Sequence, residues 1–544
     1  MKLLRPLPRR VTRPLSFIVL IAWVAWMALL VNRTYLQASP VNLATDLARY
    51  GPSAVWHGVY YRGEKIGFTV SQVIRTEDGF ELQEDGRLQM TLLGSTSAAA
   101  LHTSAHVDPR FALRSFEFSL DPGTGAVQIR GTIEPPPAGT SSPYGLTIAI
   151  TSGGSTRTER RDLPEEPVLG LNLMRILANG GLTPGARHRW MVLDPATLRN
   201  APMNVVVGRR EVVRLADTSV PAFRIEVEFE GLRSTSWVTD TGEVVREDSP
   251  LGLMTVREPA DRAQGLAVPG RVRADLLQMS AVVPRTQRRI EEPRAVTRLR
   301  LRLDGADLSS ADLQGAGQTV DGSVVEIVDA RTLVAGPAES GLQRYLDPEA
   351  LIESDAPEIR AEATLAVQGV QGTRAQAERL TRYVNALLDK KPTVSLPSAL
   401  EVLRTKVGDC NEHTALYVAM ARALGIPARI AVGLVYVQGA QGAFYYHAWP
   451  EVYLDEGNGR GLWLPVDPTL NEFPADATHV RLARGGLEKQ AAIVPLIGRL
   501  EMTVLELEQD PSATPILVGR EQVGLPPLAP NLPQAQAGAC RCDQ

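Results

Sequence analysis

The sequence predicts an α+β protein in three parts: an N-terminal transmembrane helix, an antiparallel β-rich domain, and a smaller α+β domain toward the C-terminus. Three observations predict it. An uncharged apolar run of 17 residues, 15–31, stands near the start. From about residue 51 to 258 apolar residues recur at every second position, the period of a half-buried strand. Beyond about residue 345 the recurrence changes to that of capped amphipathic helices. At 544 residues the chain also exceeds what one core holds, about 250–300 residues, so more than one folded unit is expected.

The apolar run LSFIVLIAWVAWMALLV spans about 25 Å as a helix at roughly 1.5 Å per residue. Lys2, Arg5, Arg9, Arg10 and Arg13 precede it and Arg33 alone follows closely. Basic charge stays on the cytoplasmic side, so residues 1–40 read as a cytoplasmic stub and inner-membrane anchor. The body of a single-pass protein is then expected in the periplasm, outside the cytoplasm. A cleaved signal peptide is the competing reading; the length of the run and its two tryptophans favour a retained anchor.

Residues 45–265 read as an antiparallel β-rich extracytoplasmic domain. AVWHGVYYRGEKIGFTVSQVIRTEDGFELQ gives two or three strands, with turns at Gly63 and Asp78-Gly79. Phe223, Ile225, Val227 and Phe229 alternate on one face, and Asp240-Thr241-Gly242 makes a hairpin. Antiparallel strands with one wet face fit this pattern. EPPPAGTSSPYG (134–145) is a loop, and LGLNLMRILANGG (169–181) a short helix closed by Gly180 and Gly181. His102 and His106 have the i, i+4 spacing of a helical metal pair, but they fall in strand-like sequence. This domain is expected to meet a partner that the sequence does not name.

Residues 266–344 form a linking region whose TRLRLRLDG (297–305) alternates Arg and Leu, an edge or one-sided strand. In 345–510, Thr373 caps a helix over 374–389 with an apolar stripe of Ala377, Leu380, Val384, Leu387 and Leu388, ended by Lys390-Lys391-Pro392. Ser398 and Glu401 make a capping box for a second helix. A third helix follows Gly408-Asp409-Cys410 and stops at Gly425-Ile426-Pro427. Strands are expected over 428–436, 444–454, 462–466 and 499–508. Residues 511–544, rich in Pro, Ala and Gln, read as a disordered tail.

Composition narrows the function. Net charge is −4, with 22% charged and 44% hydrophobic residues, an ordinary globular balance that offers no footprint for nucleic acid. Of three cysteines, Cys540 and Cys542 stand near the end and only Cys410 lies in the body of the chain. A disulfide framework and paired-cysteine zinc sites are thereby excluded, and no cofactor or metal is called for.

Cys410 follows Gly408-Asp409 at a helix N-terminus, where unsatisfied N–H groups and the macrodipole favour a thiolate. The same N–H groups can hold an oxyanion. A nucleophile needs a base and an orienting group. His447, in FYYHAWPEVYL, is the expected base, and period-2 counting sets His447, Trp449, Glu451 and Tyr453 on one face. Asp467, at the end of LWLPVDPT, is the expected orienting carboxylate. His413 competes as base and Glu451 as orienter. Asp409 reads as an N-cap, Trp449 as packing, and His479 as a surface residue.

SALEVLRTKVGDCNEHTALYVAMARALGIPARIAVGLVY, YYHAWPEVYL and WLPVDPT, in this order and spacing, resemble the transglutaminase-like superfamily in its bacterial branch, over about residues 345–475. The resemblance implies a papain-like α+β fold with a Cys-His-Asp triad: Cys410 as nucleophile, His447 as base and acid, Asp467 as orienter. It implies acyl transfer on a protein or peptide substrate, with a peptidase or amidase expected. The other readings are a cross-linking transglutaminase and a non-catalytic binding or assembly module.

Overall fold

The computed structural model describes residues 50–510, apart from 52, 93–94, 138–141, 250–251, 266–274, 276–277, 279, 439–441, 487–488 and 490. The expected anchor helix and the 511–544 tail lie outside the described residues. Among the described residues no helix is long and apolar enough to cross a membrane.

Alternation over the first two hundred described residues produces one large sheet, strands β1 to β15 in chain order, from β1 (Val55–Tyr61) to β15 (Leu253–Arg257). Neighbours in the chain are neighbours in the sheet, and β15 returns to pair with β1. The two edges are β8 (Ser155–Leu163) and β9 (Pro167–Val168), the latter parallel to β10 (Arg187–Asp194). Only residues 164–166 join those edges, a reach of about 14 Å for an extended chain. The sheet therefore has to curl until its edges approach, giving a barrel-like form. No ladder joins β8 to β9 among the described residues. Arg161 of β8 instead donates to the Leu198 carbonyl, in the turn that follows β10, at 2.8 Å.

The strand periodicity shows in burial. Leu146, Ile148 and Ile150 point into the barrel, while the edge strand β8 turns Thr156, Thr158, Arg160 and Asp162 to solvent. The expected turns at Gly63 and Gly79 and the 240–242 hairpin are present. The expected helix is α1 (Gly170–Asn179); a short α2 (Ala260–Gln264) follows β15. His102 and His106 lie on a strand, each against its own carboxylate, Asp85 at 2.8 Å and Asp78 at 3.1 Å.

The Arg/Leu strand is β16 (Val296–Asp304), with Leu299, Leu301 and Leu303 buried and Arg298 and Arg300 paired to Glu326 and Glu506 on the wet face. It is one-sided as expected. It is not an edge, however: β18 (Val324–Val328) and β26 (Glu501–Gln509) flank it, with β17 (Gln318–Asp321) outside. Because β26 comes from the far end of the described chain, this small sheet brackets the α+β part.

That part holds α3 (Pro357–Ala366), α4 (Thr373–Leu387), α5 (Ala399–Thr405) and α6 (Cys410–Ala423). They pack on a sheet ordered β19 (Gly336–Pro337), β24 (Arg460–Pro465), β23 (Ala443–Gly457), β22 (Ala428–Val437), β25 (Val480–Arg484). Gly372, rather than Thr373, is the N-cap of α4. Its end is set by a parallel pair, β20 (Asp389–Lys390) with β21 (Val407–Gly408), before the proline is reached. Ser398 Oγ accepts the Glu401 amide as predicted, but the Glu401 carboxylate turns away to Arg404. Helix α6 is buried from Glu412 to Arg422, the central helix of its core.

The barrel does not close over a core of its own. Leu351 belongs to the same buried cluster as Leu146, Ile148 and Ile150, and Ala350, Val394 and Leu396 pack against it. From Val55 onward the chain forms one compact unit.

Candidate active site

The thiol is placed by the way α6 begins. Asp409 is its N-cap: its carboxylate accepts the Asn411 amide at 3.0 Å, and Glu412 returns a bond to the Asp409 amide at 2.8 Å, a full capping box. The Asp409 carbonyl takes the His413 amide. The Asp409 carboxylate also takes the Glu412 amide, so of the four N–H groups that open the helix those of Asp409, Asn411 and Glu412 are used, and the Cys410 amide has no partner among the described residues. Thr414, one turn on, donates to the Ala448 carbonyl at 3.1 Å and fastens α6 to β23. Cys410 faces the same point, its half-buried sulfur against the Ala448 amide.

His447 is the residue before Ala448. Its Nε2 lies 2.7 Å from Asp467 Oδ2, so Nε2 carries the proton and Nδ1 keeps its lone pair. Asp467 is fully buried. Its Oδ1 accepts the amides of Thr469 at 2.7 Å and Leu470 at 2.9 Å. The loop that carries it is held by Asn385 of α4, which donates to the carbonyls of Pro468 and Thr469, and by Arg294, which donates to the Leu470 carbonyl. Burial alone would push the Asp467 carboxyl up; His447 and then His479 hold it far below the ordinary carboxylate range. The three predicted residues therefore come from one helix end, one strand and one strand exit, and meet around residue 448.

The environment of the thiol runs against the sequence-based expectation of a ready thiolate. Burial, then Asp409, Glu412 and Asp467, push Cys410 well above its ordinary value; the Ala448 amide opposes them. Asp409 is itself pushed up, by burial and by Glu412. Both groups are thus biased toward their neutral forms.

Two competitors are resolved by their contacts. Glu451 sits in a buried clamp between Arg429 and Arg481, at 2.8 Å each, and does not touch His447. His413 donates Nδ1–H to the Asp409 carbonyl at 2.7 Å, and burial pushes it down to about 4, so its ring is neutral. Trp449 packs as expected, fully buried and stacked 6.1 Å from the His447 ring.

His479 is the residue the sequence reading misplaced. It is buried, with Nε2 3.2 Å from Asp467 Oδ2 and Nδ1 3.2 Å from Asp476. Its one signal was position, just ahead of a strand that pairs with β22. His447, Asp467 and His479, and likewise Glu472, Asp476 and His479, bring ligand atoms within 4.8 Å of one another, close enough for a cation. In both sets the ring nitrogens already face oxygen acceptors, so they present protons where a metal requires lone pairs.

Residues 361–468 match the family model of the transglutaminase-like superfamily. The chain carries a transglutaminase-like domain. The matched segment takes in Cys410, His447 and Asp467 and stops short of His479. At the coarse level this makes the protein a cysteine-dependent hydrolase or transferase. No curated protein matches the sequence. Among solved structures it is similar to a candidate cysteine protease from Cytophaga hutchinsonii (14% identity, 40% of this chain, 88% of that one, TM-score 0.25). It is also similar to the periplasmic domain of TgpA from Pseudomonas aeruginosa (17%, 37% and 94%, TM-score 0.23). A barrel-like protein of unknown function from Brucella abortus matches at 11% identity (38% and 96%, TM-score 0.30).

Proposed function

We propose that the protein is a membrane-anchored, extracytoplasmic thiol acyl-transfer enzyme, a peptidase or amidase working through Cys410, His447 and Asp467. The observation that carries this reading is the 2.7 Å bond between His447 Nε2 and a buried, ionised Asp467, with the Cys410 sulfur beside the next residue of the same strand. The apolar run 15–31 and its basic flank support the anchor.

The reaction follows from the proton inventory. Asp467 fixes the His447 tautomer, leaving Nδ1 as the acceptor. As Cys410 sulfur attacks a carbonyl carbon, Nδ1 takes the thiol proton and the carbonyl electrons move to oxygen. The Cys410 amide, left over from helix capping, can donate to that oxyanion. When the intermediate collapses, the C–N bond breaks and the amine leaves with the proton from His447. A thioester remains. Water, deprotonated by His447, then attacks it, releasing a carboxylic acid and restoring the thiol.

The test is p-nitrophenyl acetate with the purified full-length chain, followed by a panel of peptides and peptide amides analysed by mass spectrometry. A nitrophenolate burst stoichiometric with enzyme and absent from Cys410→Ala is expected, with hydrolysed peptide products carrying 18O from labelled water. A burst that survives Cys410→Ala overturns the assignment. Amine-linked products in place of acids would instead make the enzyme a cross-linker.

A further inference from the structure

Asp467 serves two imidazoles, and the acyl-transfer reading uses only one. Oδ1 is filled by two backbone amides, so Oδ2 alone faces both His447 Nε2 at 2.7 Å and His479 Nε2 at 3.2 Å. On its other side the His479 ring meets the Asp476 carbonyl and Asp476 Oδ1, both 3.2 Å from Nδ1. Every partner of His479 is an oxygen acceptor. The ring satisfies all of them only with a proton on each nitrogen, that is, as an imidazolium. It is held this way with 2% of its side chain exposed, edge-on to Trp449 at 5.1 Å.

We propose that His479 is a positioning residue that sets the proton affinity of His447 through the carboxylate they share. This rests on the reading of Cys410, His447 and Asp467 as a working triad. An aspartate devoted to one imidazole strengthens that ring's hold on its proton. Sharing Oδ2 with a fixed cation weakens it, and the two rings lie 6.0 Å apart. At an effective dielectric constant of about 20, a unit charge at that separation moves a neighbour's titration by at most about two pH units.

The other charged groups facing this cluster are Glu472 and Asp476 on the Asp467 loop, with Arg294 and Arg331 from the segments around the small sheet. Arg294 binds Glu472 at 2.9 Å. Burial and then Asp476 push Glu472 up to about 7, while Asp467 and Asp476 hold His479 protonated against its own burial. His479 is the cation in direct contact with Asp467 Oδ2, 3.2 Å away. It also lies beyond the segment that matches the family model.

The experiment is nitrogen-15 NMR of histidine-labelled full-length chain, in a Cys410→Ala background so that His447 titrates without a thiol partner. His479 is expected to show two protonated nitrogens from pH 5 to 8. His479→Gln, which keeps one N–H donor but no charge, should raise the His447 titration by about one to two pH units. The acid limb of the Cys410-dependent p-nitrophenyl acetate burst should move up by the same amount. A residue needed only for folding would lower yield and thermal midpoint and leave the limb in place, so an unmoved limb in folded His479→Gln overturns the proposal. Should that variant not fold, a neutral His479 ring at pH 7 in the parent protein overturns it equally. Failure of the triad reading shows separately, as a burst that persists in Cys410→Ala, because the NMR titration is read without turnover.

Discussion

Replacing Asp467 by Asn tests the site at its most constrained atom. The amide oxygen will occupy the Oδ1 position, where two backbone N–H groups at 2.7 and 2.9 Å require an acceptor. The NH2 group is then forced against His447 Nε2, 2.7 Å away in the parent. Two donors cannot face each other at that distance, so His447 must move its proton to Nδ1 and loses the lone pair that receives the thiol proton. The same exchange costs about 10⁴ in turnover in the best-known serine triad, or about 5.4 kcal/mol of barrier. A similar loss is expected here. The second NH2 contact faces His479, a buried cation that then keeps only Asp476 as its counter-charge, so the stability cost is at most that of breaking a buried pair, about 3–5 kcal/mol. Because Asp467 is held below its ordinary range, its contribution is complete above about pH 3.9 and is lost only as pH falls further, so the whole cost appears at pH 7. The assay is the p-nitrophenyl acetate burst rate and denaturant midpoint of Asp467→Asn beside the parent. A burst rate within tenfold of the parent would refute the argument.

Glu451→Gln should keep the parent's pH profile but lower stability by about 3–5 kcal/mol in denaturant melts, since it leaves Arg429 and Arg481 buried without their counter-charge. His413 has a folded value near 4 against an unfolded one near 6.5, so the unfolded chain binds more protons between them. Stability is expected to fall by about 3 kcal/mol as pH drops from 6.5 to 4. His413→Leu, which also removes a buried Nε2 without a partner, should flatten that dependence in melts across the range and leave the burst within a few-fold. Iodoacetamide at pH 5.5 should label native Cys410 more slowly than Cys540 and Cys542, quantified site by site, because burial and three carboxylates oppose its ionisation. Protease added to intact spheroplasts should digest everything beyond about residue 40; protection of the body would overturn the proposed topology.

Much of the site was legible because its residues are announced locally. Cys410 follows a Gly-Asp cap, His447 sits in an alternating strand, and Asp467 precedes a proline that ends one. Each element came out within a few residues of its expected bounds. What escaped was whatever depends on the far side of a contact. His479 has no motif of its own and becomes buried only because the loop from residue 467 folds back on it. The thiol's environment depends on burial and on Asp467, which reach it only through the fold, beside Asp409 and Glu412, which stand next to it in the sequence. TRLRLRLDG showed its two faces but not its neighbours, since β26 arrives from two hundred residues away. For the large sheet, strand identity was readable and closure was not. Nothing local says that β8 and β9, three residues apart, stand at opposite edges.

The shared packing of Leu351, Val394 and Leu396 with the barrel interior bears on how this protein can be cut, fused and inherited. Thr393 and Ser395 of that same stretch hydrogen-bond Glu412, the partner in the Cys410 helix cap. A fragment beginning near residue 345 would carry every residue of the triad, yet it would expose the apolar side chains that line the barrel and slacken the strap beside the thiol. The sensible unit for expression begins before β1. For the same reason, a lineage that exchanged the barrel for another domain would have to rewrite residues 350–351 and 393–396 together with it, so the two halves are expected to have been inherited as a pair.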